Sequence, residues 1–363
     1  MPGERTEARP IRVVVGEDSP LMQTMIVEAL QSDPGIRVVG RGADGRAVLR
    51  LVSDLRPDCV TLDLEMPNMD GLETLRYLMS EWPTPVVIVS AHTSESAEIA
   101  LACLEYGAVD IVPKTWGGVR FTAGELVEKV RDASSIDVGR MRFALPEIAI
   151  GAKPRTAFAP QLGAVVIVGA STGGPQALMD LVPRLPRGIP AAVVVVQHMP
   201  ATFTRYFAER LDARSSLDAR EAEHGDFLEP GRVLVAPGGM HLMLGERDGR
   251  PAVTLLGKNE RQRTACPSVD FAMTSFAPVF RERLVGVVLT GMGRDGAAGC
   301  AAVRANGGTV ICQDRESSLV FGMPAAVMGN GAADFVVPLG GIADRIVKTV
   351  SSVSSRESAH ERR

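Results

Sequence analysis

Residues 165–174 read Val-Val-Ile-Val-Gly-Ala-Ser-Thr-Gly-Gly, an apolar run that ends in a glycine-rich turn around a hydroxyl side chain. The apolar run predicts a buried strand, and the glycines after it favour a sharp bend into a helix. Gly169, Ser171 and Gly173 have the G-x-S-x-G spacing of a nucleophile elbow, in which N–H groups after the serine can face an oxyanion. A plain strand-to-helix turn and a phosphate-binding helix N-terminus are the alternatives. The stretch matches neither a Walker A motif nor a dinucleotide fingerprint.

Composition indicates a globular protein of two domains. The chain has 363 residues, of which 45% are hydrophobic and 23% charged, with a net charge of −4. This balance gives no sign of nucleic-acid binding, and the apolar runs have only strand length, so we expect no membrane insertion. Residues 1–10 lack the apolar core of a secretory signal, which predicts a cytoplasmic location. Scattered cysteines without C-x-x-C spacing predict reduced thiols, not a zinc site or disulfides: Cys59, Cys103, Cys266, Cys300 and Cys312.

Short apolar runs alternate with helical patterns in two blocks, which predicts two α/β domains with doubly wound, mostly parallel sheets. Glycines and prolines spread over residues 135–161 predict an interdomain linker. Around Asp248-Gly249 we expect a β-hairpin insertion in the second domain. The other predicted segments are a disordered N-terminus over 1–10, a first domain over 11–134, a second domain over 162–350 and a frayed C-terminal tail over 351–363.

Acidic residues follow the predicted strands of the first domain. Glu17 and Asp18 come after the first strand, and Asp63 comes after the strand 59–62. Because the carboxyl ends of parallel strands converge on one crevice, these carboxylates repel one another unless a divalent cation such as Mg²⁺ lies between them. Ser90 and Lys114 add a hydroxyl and a cation at the same edge. The alternative is a set of ordinary solvated loop residues.

The second domain offers a base and an acid for Ser171. His198 follows the apolar run 192–196, where a histidine is well placed as a general base, although a capping or loop histidine is the alternative. Asp295 lies in the glycine-rich turn after the run 284–289, and its alternative role is to cap the next helix. The order serine, histidine, aspartate differs from the serine, aspartate, histidine order of α/β-hydrolases.

The first domain resembles the receiver domain of two-component response regulators, a flavodoxin-like fold with a five-stranded parallel sheet. The resemblance rests on the ordered positions of the acidic residues, Ser90 and Lys114. It implies that Asp63 accepts a phosphoryl group from a histidine kinase and that Ser90 and Lys114 contact the phosphoryl oxygens. It also implies a Mg²⁺ site formed by Glu17, Asp18, Asp63 and the backbone carbonyl of Glu65.

The second domain is similar to the chemotaxis-receptor methylesterases of the CheB family. Four motifs in order carry this resemblance: Gly169-Ala-Ser-Thr-Gly-Gly174, Gln197-His198-Met199-Pro200, Leu289-Thr-Gly-Met-Gly-Arg-Asp-Gly296 and Gly322-Met-Pro-Ala325. The resemblance implies that Ser171, His198 and Asp295 form a catalytic triad acting on glutamate γ-methyl esters of methyl-accepting chemoreceptors, with glutamine deamidation as a second activity.

Further expectations follow from the same resemblance. Thr172 and the backbone N–H of Met292 are the candidate oxyanion donors, and no cofactor is expected for the esterase reaction. The receiver is expected to restrict access to Ser171 until Asp63 is phosphorylated, in a monomeric protein. Two other hypotheses stay open, namely a response regulator whose output domain binds a partner without catalysis and an unrelated serine hydrolase fused to a receiver. A DNA-binding output is disfavoured because the second domain is too long for a helix-turn-helix module.

Overall fold

The computed structural model describes residues 9–91, 94–114, 123–138, 162–257 and 265–360, with the side chains of 94–95 and 355–360 left aside. The chain divides into two compact units, Met1–Leu145 and Pro146–Arg363. This division falls inside the predicted linker 135–161, most of which, residues 139–161, lies outside the described part. In the part that is described, Ile136 and Val138 are buried. No helix among the described residues is long and apolar enough to cross a membrane.

The first unit is a five-stranded parallel sheet flanked by helices, as predicted. The strands lie in the order β2-β1-β3-β4-β5. In chain order the elements are β1 Ile11–Gly16, α1 Pro20–Gln31, β2 Ile36–Gly42, α2 Gly45–Leu55, β3 Cys59–Leu62, α3 Gly71–Glu81, β4 Val86–Ser90, α4 Ser94–Glu105, β5 Asp110–Pro113 and α5 Ala123–Ser134.

Burial explains which strands the sequence pattern revealed. The inner strands β3 and β4 are completely buried, and both are near-continuous apolar runs, as parallel strands covered on two faces should be. The edge strand β2 has the sequence Ile-Arg-Val-Val-Gly-Arg-Gly and is only partly buried. Its mixed composition gives only a weak periodic signal, so the sequence pattern does not predict this strand.

The second unit contains a seven-stranded parallel sheet in the order β14-β13-β12-β6-β7-β9-β8 and a separate antiparallel pair, β10 and β11. The predicted hairpin is thus confirmed, and Asp248 and Gly249 both have positive φ angles, 53° and 71°, as its tight turn requires. The elements are β6 Ala164–Ala170, α6 Gly174–Leu181, β7 Ala191–Gln197, α7 Ala201–Arg214, β8 Asp218–Glu221, β9 Arg232–Val235, β10 Met240–Arg247, β11 Arg250–Gly257, α8 Val269–Phe280, β12 Leu284–Val288, α9 Ala297–Ala305, β13 Thr309–Gln313, α10 Met323–Gly329, β14 Phe335–Val337 and α11 Leu339–His360.

The C-terminal segment corrects one expectation. The prediction of a frayed tail from residue 351 is wrong for residues 351–360, because α11 continues to His360; residues 361–363 lie outside the described part. Ile342, Ile346, Val350 and Val353 are buried at helical spacing, so the apolar stripe extends past the expected boundary. Residues 351–355 are serines except for Val353, so the sequence there shows too few apolar residues to predict a helix.

Every residue of the central strand β6 is buried, so the core of the second unit covers both faces of that strand. Val165, Ile167 and Val194 belong to one cluster that includes Phe276 of α8 and Val303 of α9. All five cysteines are free thiols, and four of them are buried. The burial of these central strands fixes the positions of their ends, and those ends carry the candidate site.

Candidate active site

The carboxyl ends of three adjacent strands bring the predicted triad segments together. β6 lies between β7 and β12 in the sheet, and Ser171, His198 and Asp295 follow these three strands. The N–H of His198 donates to the Ala170 carbonyl at 3.1 Å, and the N–H of Ser171 donates to the Thr290 carbonyl at 3.1 Å. The chain leaves β6 toward β7 on one side and later adds β12 on the other. Ser171 therefore lies at a topological switch point, where ligands of open α/β sheets bind.

His198 and Asp295 are in direct contact. His198 Nε2 lies 2.8 Å from Asp295 Oδ2, and both side chains are mostly buried, with 18% and 15% of their surface exposed. Because Nε2 faces the carboxylate, Nδ1 is the ring nitrogen that can serve Ser171. This is the geometry of a base held by an orienting acid.

The carboxylate of Asp295 is anchored at the start of α8. Oδ1 accepts hydrogen bonds from Ser268 Oγ at 2.9 Å and from the N–H of Asp270 at 3.0 Å, and Oδ2 accepts from the N–H of Val269 at 2.7 Å. Burial opposes ionisation of Asp295, but the hydrogen bond and charge of His198, together with these N–H groups, hold its pKa below the usual value. Asp295 is therefore a carboxylate at neutral pH.

The sequence suggests that Asp295 caps the helix that follows it, α9, but in the structure its carboxylate binds the start of α8. Gly296, with φ of 92°, precedes α9, whereas the Asp295 carboxylate binds the first N–H groups of α8. The positive end of the α8 dipole adds to its stabilisation. Ser268, the N-cap residue of α8, was missed by sequence reasoning, although a serine before an apolar helical pattern is an available signal.

Ser171 is half-buried, and among the described residues no hydrogen bond joins its Oγ to the ring of His198. Hydrogen bonds between a nucleophile and its base are often long without substrate and shorten in the complex. The structure thus places Ser171 and His198 on adjacent strand ends, and the reacting hydrogen bond between them stays a prediction.

The turn that carries Met292 lies against the turn that carries Ser171. A Cβ atom on Gly291 would lie 2.7 Å from Ser171 Cβ and 2.9 Å from its backbone nitrogen, so only glycine fits there. Thr172 is buried, and its carbonyl accepts from Thr290 Oγ1 at 3.0 Å, whereas the side chain of Met292 is 49% exposed. The oxyanion roles of Thr172 and Met292 remain predictions.

The Gly322-Met-Pro-Ala325 motif is hydrogen-bonded to the turn that carries Gly291 and Met292. The N–H groups of Gly322 and Met323 donate to the carbonyl of Gly291 at 3.0 and 2.8 Å. The motif begins α10, so the first turn of that helix fixes Gly291 against Ser171.

The acidic residues of the first unit form a compact cluster. One oxygen each from Glu17, Asp18 and Asp63 lies within 4.8 Å of the others. Glu17 and Asp63 are buried, and Lys114 Nζ lies 2.8 Å from Glu17 Oε2 and 2.7 Å from Asp63 Oδ2. Three carboxylates this close together, two of them in contact with the Lys114 ammonium, offer the oxygen ligands that Mg²⁺ prefers.

Burial dominates the electrostatics of this cluster. It raises the pKa of Glu17 and of Asp63, and Lys114 opposes the shift by hydrogen bonding and charge. A divalent cation bound between these carboxylates would offset the free-energy cost of keeping them ionised in a buried position. The residues therefore fit a metal site.

The remaining receiver residues lie at the same edge or near it. Ser90 is fully buried, and its carbonyl accepts from the N–H of Lys114 at 2.6 Å, which joins the ends of β4 and β5. The exposed carboxylate of Glu65 accepts from Ser96 Oγ at 2.8 Å. Metal binding by the Glu65 carbonyl and phosphoryl contacts by Ser90 and Lys114 stay predictions.

Comparisons with known proteins agree with both halves of this description. The family model for the CheB methylesterase matches residues 166–346, and that for the response regulator receiver domain matches residues 13–130. A protein-glutamate methylesterase/protein-glutamine glutaminase from Symbiobacterium thermophilum is 46% identical over 358 residues, which cover 94% of this chain and 98% of that protein. The relative of the same description from Pyrococcus abyssi is 41% identical over 95% of both chains.

A solved structure extends the likeness to the fold. The CheB methylesterase catalytic domain of Thermotoga maritima is 42% identical and covers 51% of this chain and 98% of its own, with a TM-score of 0.50. The chain therefore belongs to the CheB methylesterase family, with a response regulator receiver domain preceding the methylesterase domain.

Proposed function

We propose that this chain is a phosphorylation-activated hydrolase that removes methyl groups from glutamate γ-methyl esters of chemoreceptors and deamidates receptor glutamines. The names of its relatives, which specify protein-glutamate methylesterase and protein-glutamine glutaminase, support the reaction class. The single observation that carries the proposal is the 2.8 Å contact between His198 and Asp295 beside the turn of Ser171. Family membership disfavours the alternative of a non-catalytic output domain.

In the proposed reaction, Ser171 Oγ attacks the ester carbonyl while His198 Nδ1 takes its proton. Asp295, ionised because its pKa is lowered, holds the ring and stabilises the imidazolium. His198 then gives the proton to the departing methoxy oxygen, and methanol leaves. Water, activated by the same imidazole, hydrolyses the acyl-enzyme and releases the glutamate carboxylate.

The negative oxygen of the tetrahedral intermediate needs hydrogen-bond donors. Thr172 and the N–H of Met292 are the proposed pair, since the packing of Gly291 on Ser171 places their turns side by side. One such donor is typically worth about 3 kcal/mol of barrier. With a glutamine side chain the same steps release ammonia, a poorer leaving group than methanol.

The first domain supplies the proposed regulation. The Asp63 carboxylate attacks the phosphorus of a phosphohistidine on the chemotaxis histidine kinase, and the histidine nitrogen leaves. Glu17, Asp18, Asp63 and the carbonyl of Glu65 would hold a Mg²⁺ ion, which supplies charge neutralisation. Ser90 Oγ and Lys114 Nζ then bind the phosphoryl oxygens, and phosphorylation relieves a restriction on access to Ser171. We place the protein in the cytoplasm as a monomer, with neither nucleic-acid binding nor membrane insertion.

Methanol release tests the function directly. Receptor membranes carrying methyl-labelled glutamate esters are incubated with the full chain, Mg²⁺ and a small phosphoryl donor, and volatile label is measured. We expect release well above that from membranes alone, and ammonia from receptors with glutamine at the same positions. Absence of both products would contradict the proposal.

A further inference from the structure

One buried amide contacts both segments that carry the proposed nucleophile and base. Gln197 is the last residue of β7 and is 2% exposed. Its Nε2 donates to the carbonyl of Ser171 at 2.9 Å and to the carbonyl of His198 at 3.1 Å. A single side chain thus links the main chain of the two residues whose side chains must meet.

The orientation of this amide follows from its partners. Both groups that face it are carbonyl oxygens, which only accept hydrogen bonds, so the NH₂ end of Gln197 must lie toward them. Gly174 makes room for the other end, because a Cβ atom there would lie 2.0 Å from Gln197 Oε1. The glycine after the nucleophile turn therefore has a packing function that its motif alone does not reveal.

The link also orients a candidate oxyanion donor. The carbonyl of Ser171 accepts from Gln197 and from the N–H of Gly174 at 2.7 Å, which uses both of its lone pairs. In a trans peptide the N–H of the next residue points opposite to this carbonyl. Fixing the Ser171 carbonyl therefore fixes the direction of the Thr172 N–H.

The base is held in the same way. The N–H of His198 donates to the carbonyl of Ala170 in β6, and its own carbonyl accepts from Gln197, the side chain that also binds Ser171, so both polar groups of its backbone have fixed partners. Neither contact touches the imidazole or the reacting atoms.

We propose that Gln197 is a positioning residue: by binding the carbonyls of Ser171 and His198, it fixes the distance between the proposed nucleophile and the proposed base. This inference rests on the proposed function, because this distance matters only if Ser171 and His198 react together. It assigns Gln197 to the rate of the chemical step and not to the binding of the receptor.

The test substitutes Gln197→Met, which keeps the length and shape of the side chain and removes both donors. Rates are normalised to folded protein, measured by thermal unfolding of the full chain. We expect kcat for methanol release to fall at least tenfold while KM changes less than twofold. Ser215→Ala is the matched control, since Ser215 is also buried and bonded to backbone, at Leu217 and Val182, and should leave kcat unchanged.

Hydrogen exchange gives a second readout that needs no activity. The amides of peptide 169–175 should exchange faster in Gln197→Met than in the parent, whereas Ser215→Ala should not change them. If Gln197→Met does not fold, Gln197→Glu, which has the same shape and at most one donor, is judged by the same two criteria. Parent-like kcat with parent-like exchange would overturn the inference. A parent that releases no methanol would instead overturn the proposed function, and the exchange result would still decide the role of Gln197.

Discussion

Asp295 joins the proposed chemistry to the stability of the fold. Its carboxylate lies 2.8 Å from His198 Nε2 and also accepts hydrogen bonds from the first N–H groups of α8. Loss of the charge should therefore affect the rate and the free energy of unfolding together, whereas loss of the Ser171 hydroxyl should affect only the rate.

Substitution Asp295→Asn should lower kcat by about 10³- to 10⁴-fold, because the amide favours the wrong tautomer of the imidazole. Asp295→Ala removes the carboxylate that accepts from the first N–H groups of α8, and this loss should cost about 1–2 kcal/mol of unfolding free energy at pH 7. The lowered pKa of Asp295 stabilises the folded protein above the unfolded-state pKa near 3.8, and this contribution disappears as the pH falls through the folded-state pKa. Thermal unfolding from pH 3 to 7 should show a smaller acid-dependent loss in Asp295→Ala than in the parent.

Asp270→Asn is the control for that prediction. Burial raises the pKa of Asp270, and its Oδ1 accepts from the N–H of Gly299, a bond that asparagine can keep. We expect near-parental kcat and no loss of stability at pH 7. Equal losses in the Asp295 and Asp270 variants would contradict the distinct role of Asp295.

At the scale of secondary-structure elements, the contact between the β12 turn and the β6 turn sets the geometry of the site. Gly291→Ala should place a methyl group against Ser171 and the Met323 sulfur, at 2.7 and 2.5 Å, so the two turns must separate. We expect a destabilisation of about 1–3 kcal/mol in urea unfolding and a clear fall in kcat. Gly329→Ala, at the end of α10 with open space around it, should change neither quantity. Parental activity in Gly291→Ala would show that this contact does not position the nucleophile.

The same elements show how far the sequence predicts the site. Ser171, His198 and Asp295 could be identified because each follows an apolar run, and parallel strands end at one sheet edge. The link from Gln197 to Ser171 and the anchoring of Asp295 by Ser268 could not, because they depend on which strands become neighbours and on where α8 packs. Sequence reasoning also missed the edge strands β2 and β8 and the last turns of α11. These segments are only partly buried, and their polar residues interrupt the periodic spacing of apolar residues.

At the scale of the whole molecule, phosphorylation of Asp63 should raise the rate of methanol release. A complete shift from 1:99 to 99:1 between two states needs about 5.5 kcal/mol, whereas a tenfold activation needs only about 1.4 kcal/mol, so we expect partial activation. Activation should require Mg²⁺ and disappear when the ion is chelated. Asp63→Asn should keep the basal rate and lose the response to the phosphoryl donor. An unchanged response in Asp63→Asn would contradict the assignment of Asp63.

The most direct measurement of the central claim compares methanol release by the parent and by Ser171→Ala under identical phosphorylating conditions. We predict that the alanine variant loses at least about a thousandfold in rate, since in the proposed mechanism the hydroxyl forms the covalent intermediate, while its thermal unfolding stays that of the parent. A Ser171→Ala protein that releases methanol at the parental rate would contradict the account of this site.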